Sequence, residues 1–150
     1  MDEWINSLLK NRDDLTAGQL ERTRHKINSS VLDCLVVDYE CLVEGLSLPD
    51  PKDRHVLAAA IRAQAQVVVT FNLKDFPPKT LSKFDIEAQH PDTFLRYQMD
   101  LNPPSFLSSV KTVRERLKKP PKTVDEYLLT LIKQGLPQTA SALQQYSDLI

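Results

Sequence analysis

The side chains with the most chemical reach lie between Asp50 and Phe76. Asp50 and Asp53 stand where a loop passes into a helix-like stretch, and Asn72 and Asp75 follow a β-branched run. A carboxylate at a helix start stays ionised, because the free N–H groups and the helix dipole favour negative charge. Two ionised carboxylates and an amide are hard oxygen donors, the kind that Mg²⁺ or Mn²⁺ prefers. Zinc chemistry is not supplied: Cys34 and Cys41 stand alone, with no CxxC and no paired His spacing. They read as reduced, partly buried thiols of a cytosolic protein. Each acid also has an ordinary explanation, with Asp53 as a helix cap, Asp75 as a turn residue and Asn72 as the cap of a strand exit.

Those residues need elements to position them. Asp53 to Ala65 is alanine-rich and predicts a helix buried on more than one side. Gln66 to Phe71 is continuous and β-branched, and predicts a parallel strand covered on both faces. In open parallel sheets, ligands gather beyond the carboxyl ends of the strands, which is where Asn72 and Asp75 fall. Elsewhere, Trp4, Ile5, Leu8 and Leu9 predict a helix under way at the first residue, and Thr16 with Gln19 forms a capping-box pattern for a second. Cys34 to Tyr39 reads as another strand and Glu40 to Leu46 as a helical turn. Asp85 to Gln89 reads as an edge strand, and Pro91 opens a helix to about Leu101. Composition shifts at Asn102-Pro103-Pro104. Beyond it come three amphipathic helices, the second ended by Gly135. Strands alternating with helices, then helices alone, predict an α/β domain over 1–102 and a helical extension over 103–150.

With 150 residues, 41% hydrophobic and 26% charged, the chain is one ordinary globular domain with an addition. No stretch is long and apolar enough for a membrane span, and the acidic opening is no secretory signal, so a cytoplasmic setting is expected. A net charge of −1 excludes a general nucleic-acid coat protein. One local exception runs from Lys111 to Lys122, where Lys111, Arg114, Arg116, Lys118, Lys119 and Lys122 meet only Glu115. Its plain reading is a solvated helix face. If the face instead holds RNA, Arg114, Arg116 and Lys118 are the residues expected to do so. No GxGxxG or GxxxxGK[ST] is present, so a nucleotide-binding Rossmann or flavodoxin-like domain is unsupported.

The stretch from Leu48 to Ala60, with its Asp50, Asp53, Arg54 and His55, and the stretch Val69 to Pro77, with Asn72 and Asp75, resemble the back half of a PIN domain. PIN domains are metal-dependent ribonucleases that include VapC-type toxins. Ile86 to Asp92 followed by Phe94, and the Gln134-Gly135-Leu136-Pro137 turn, are similar to one branch of that family. The resemblance implies a three-layer α/β/α sandwich around a parallel sheet, with clustered acids holding Mg²⁺ or Mn²⁺. It implies an endoribonuclease acting as the toxin of a toxin–antitoxin pair, with RNA as substrate and an antitoxin protein as partner. Residue by residue, it places catalytic and metal-binding roles on Glu3, Asp53 and Asp75. Asp50, Asn72, Arg54 and His55 stand in support, although Arg54 has the plainer expectation of a surface pair with Asp50. Lys52 departs from the acid usual at its position.

The family's first strand and first catalytic Asp have no counterpart here. A strand of about 5–6 residues burying about four apolar side chains contributes roughly 6–12 kcal/mol, comparable to a domain's whole stability. The expectation is therefore a start codon upstream, a strand supplied by another chain or by rearrangement, or a decayed remnant, with impaired activity in the chain as given. The rival reading is a catalytically silent PIN remnant that binds a partner or forms a homodimer without cleaving anything; the apolar stripes of the tail are expected to pack on the core or on a second subunit.

Overall fold

The computed structural model describes residues 2–31 and 34–150, and the side chains of all of these except Asp2 and Glu3. Helix α1 (Asp2–Asn11) leads to α2 (Ala17–Ser30), which starts at the expected capping box. There Gln19 N donates to Thr16 Oγ1, and Thr16 N donates to Gln19 Oε1 at 2.8 Å. Residues 34–37 form no strand, contrary to expectation. Their β-branched composition favours extension, but a strand exists only where a neighbour pairs with it. No described strand does so, and Leu35 and Val37 are 55% and 64% exposed. Cys34 is half-buried as expected, whereas Cys41 is exposed.

After the short helix α3 (Glu40–Val43), the chain runs through α4 (Arg54–Arg62), β1 (Val67–Val69), α5 (Pro78–Leu81) and β2 (Glu87–Gln89). The two strands are parallel, with Val67 opposite Glu87, Val68 opposite Ala88 and Val69 opposite Gln89. Side chains alternate across a sheet. Val68 faces a core built with Leu48, Leu57, Ala60, Phe76, Leu81 and Ile86. The other face is open: Val69 is 43% exposed, so β1 is covered on one side and not on both.

Helices α6 (Pro91–Leu101), α7 (Pro103–Arg116), α8 (Val124–Lys133) and α9 (Pro137–Gln144) make a second core. Met99, Leu107, Leu128, Ala140, Leu143 and Ile150 fill it. That core takes Met99 from α6, upstream of the composition break at 102. Helix α8 begins at another capping box, Thr123 with Glu126. It ends at Gly135, whose φ of +80° is a left-handed conformation that glycine adopts without a Cβ penalty. Leu136 N closes the turn onto Leu131 O at 3.0 Å. The fold is α/β, mostly helical, with a small parallel sheet. No helix among the described residues is long and apolar enough to cross a membrane.

Candidate functional site

The sheet determines where the acids can go. Helix α4 and β1 share one core and are joined by a tight turn, in which Ala65 N donates to Ala60 O at 2.9 Å. Two elements packed side by side across so short a turn run in opposite directions. The start of α4, with Asp53, and the exit of β1, with Asn72 and Asp75, therefore point toward the same end of the sheet.

At the strand exit the backbone makes a 3₁₀ turn, Leu73–Asp75. Asp75 N donates to Asn72 O at 3.2 Å, and Asn72 N donates to Thr70 Oγ1 at 3.0 Å. Asn72 Nδ2 in turn donates to Asp75 Oδ2, fixing the carboxylate of a half-buried acid. The amide is thus a partner of the acid and not a cap on the strand.

At the helix start, two local expectations exchange places. Asp50 is the cap, its Oδ1 accepting from Lys52 N at 2.9 Å. Asp53 occupies the N-cap position of α4, yet its side chain makes no capping bond. The short 3₁₀ turn Pro51–Asp53 runs directly into the helix and gives Asp53 a helical backbone, whereas a capping side chain needs an extended one. Arg54 does not pair with Asp50; its Nε donates to Pro51 O at 3.0 Å. His55 Nδ1 donates to Lys52 O at 2.6 Å, which fixes the ring against the same turn.

Among the described residues, no three His, Cys, Asp or Glu side chains gather closely enough to hold a metal ion. The side chain of Glu3, in α1, lies outside the described residues. In chemistry the donors fit Mg²⁺ nonetheless, since that ion keeps several waters and takes one or two carboxylates with substrate phosphate. Arg114 is half-buried, with Nη1 donating to Lys122 O at 3.0 Å, while Arg116 and Lys118 are exposed.

Two features escaped the sequence reading. The first is Asp92, which is 2% exposed. Its Oδ2 accepts from Gln138 N and its Oδ1 from Thr139 N, both at 2.8 Å, and Oδ1 also accepts from Thr139 Oγ1 at 2.7 Å. The carboxylate sits in the first turn of α6 and closes the first turn of α9, so both helix dipoles favour its charge. Burial pushes its pKa up, but the Thr139 and Gln138 hydrogen bonds and the charge of nearby His90 outweigh that and hold it below the ordinary value. The available signal was an acid in the first turn after Pro91, which does not reveal a partner 46 residues away. The second feature is Phe71, at the exit of β1. Its ring meets His90 edge-on, with centroids 5.1 Å apart, and lies against Gly135, where a Cβ would sit 3.3 Å from it. The strand exit and the tail turn meet at that ring.

Comparisons with known proteins find two similarities. Residues 91–145 match the family described as VapC50 C-terminal domain. The chain is 42% identical over 90 residues to the Mycobacterium tuberculosis protein named "Putative ribonuclease VapC50". That match covers 60% of the chain and 53% of the relative, so the chain spans about half the relative's length. No solved structure matches. The family match covers roughly the later third of the chain, and the relative shows what the chain is similar to: a VapC-type protein.

Proposed function

We propose that the chain carries the acidic site of a PIN-type, metal-dependent endoribonuclease, the toxin of a toxin–antitoxin pair. The observation that carries this reading is the rim at the carboxyl end of β1, where Asn72 holds the half-buried Asp75 and the non-capping Asp53 begins the antiparallel neighbour helix. The likeness to a protein named as a ribonuclease supports the choice of RNA as substrate. In this reading residues 1–102 are the PIN-like part, destined for a three-layer α/β/α arrangement, and 103–150 are its helical extension.

Asp53 and Asp75 are the ligands for Mg²⁺ or Mn²⁺, with Glu3 as the third. When bound, such an ion supplies acidification of a water and neutralisation of phosphate charge. The chain's own residues do the rest. Asn72 orients the Asp75 carboxylate, and the His55 ring, tied to Lys52 O, stands two residues past Asp53 for a phosphate oxygen. A partner antitoxin would close this rim.

The experiment is an RNase assay with and without Mg²⁺ on the chain, Asp53→Asn and Asp75→Asn. The reading expects Mg²⁺-dependent cleavage that both substitutions abolish. Cleavage that survives both substitutions, or no cleavage at any metal concentration, would remove the catalytic reading and leave a partner-binding or homodimer-forming module.

A further inference from the structure

We propose that residues 111–122 form a strap for the phosphate backbone of RNA, contacted through Lys111, Arg116, Lys118 and Lys119. The choice of RNA as the polyanion rests on the ribonuclease reading; the strap itself rests on charge and geometry. These twelve residues hold six Lys and Arg against one Glu, a net +5 in a chain of net −1, which leaves the remainder at −6. A chain so divided attracts a polyanion most strongly where this positive charge is concentrated.

The structure separates a holding residue from the contact residues. Helix α7 ends at Arg116, and residues 117–123 continue without helix. Arg114 Nη1 donates to Lys122 O at 3.0 Å, fastening this segment back onto the helix end. Arg114 is half-buried and occupied by that task, so it is a positioning residue and not a phosphate contact. Lys111, Arg116, Lys118 and Lys119 are exposed, and no ion pair among the described residues engages them. Cations in a last helical turn are ordinarily explained by the helix dipole. That accounts for Arg114 and Arg116. It leaves Lys118 and Lys119, which lie past the helix end, unexplained. Adjacent cations without counter-charges repel one another, and a phosphate backbone relieves that repulsion.

The test is fluorescence anisotropy of labelled oligouridine with the full chain in EDTA, so that no cleavage intervenes, across a salt series. Four single-strand phosphate contacts give a slope of log K against log salt near about −3. The variant with Lys111, Arg116, Lys118 and Lys119 all changed to Ala is expected to lose most of that slope and on the order of 100-fold in affinity at low salt. Lys118→Arg with Lys119→Arg keeps the charge and is expected to keep the slope, and circular dichroism of each variant reads the fold separately. An unchanged slope in the quadruple Ala variant overturns the strap. So does poly-glutamate binding as tight as oligouridine, which would make this a surface for an acidic protein. Because EDTA excludes metal-dependent cleavage, a chain that binds but never cleaves sinks the ribonuclease reading alone. A chain that cleaves with an unchanged slope sinks the strap alone.

Discussion

The rim at the strand ends and the helical tail spend their polar side chains in opposite ways. At the rim, each bond described spans two or three residues: Asp50 to Lys52, Arg54 to Pro51, His55 to Lys52 and Asn72 to Asp75. Such bonds shape a turn and orient a side chain, but they do not join distant parts of the chain. In the tail, Gln138 and Thr139 are held across 46 and 47 residues by Asp92 of α6, which is almost fully buried. The rim is therefore expected to tolerate substitution, whereas the tail depends on one carboxylate that is not expected to. On the proposed function, activity and stability are carried by different aspartates.

The largest effect expected is at that carboxylate. Asp92→Ala leaves buried N–H and O–H donors without an acceptor and should cost about 3 kcal/mol or more, read as a lower urea midpoint. Its pH dependence follows from the lowered pKa. A carboxyl whose folded pKa is depressed stabilises above its unfolded value of about 3.9, and that stabilisation is lost as pH falls through the folded value. Urea midpoints should thus be level near neutrality and drop below about pH 4, with a shallower drop in Asp92→Asn. If Asp92→Ala were neutral, the contrast between the two regions would collapse.

Next come Asp53→Asn and Asp75→Asn, expected to lower Mg²⁺-dependent cleavage by at least about 100-fold while leaving the unfolding free energy from urea titration within about 0.5 kcal/mol of the parent. A large stability loss at either would show that the rim, too, holds the fold. Gly135→Ala should cost about 1–2 kcal/mol, since a Cβ is strained at φ +80°. The added atom also meets the Phe71 ring, so pairing it with Phe71→Ala should recover part of the loss, which a double-mutant cycle would measure. The smallest effect is Thr123→Ala, about 1 kcal/mol from the capping box of α8, seen as a small drop in Tm.

What could be read from the sequence was what depends on near neighbours. Thr16 with Gln19, Pro91 and Gly135 each marked a helix end correctly, because caps and left-handed turns are settled within a few residues. Residues 34–39 misled for the complementary reason. Their strand propensity is local, but strand formation needs a paired neighbour that composition does not disclose. The same gap explains β1, whose three valines predicted cover on both faces while Val69 stands open. At the site, the residue types and their place beyond the strand were legible. The division of labour between Asp50 as cap and Asp53 as non-cap was not, since it turns on the backbone angles of one 3₁₀ turn. Asp92 was invisible because its partners arrive from the far end of the chain.

We propose that Asp53 and Asp75 share a divalent ion at the carboxyl end of β1. Mn²⁺ binding followed by electron paramagnetic resonance tests it most directly, because free Mn²⁺ gives the signal and bound ion removes it. The parent chain is expected to take up one ion, and Asp53→Asn and Asp75→Asn are each expected to release it while remaining folded. Uptake that persists unchanged in both variants, or no uptake by the folded parent chain, would contradict the claim.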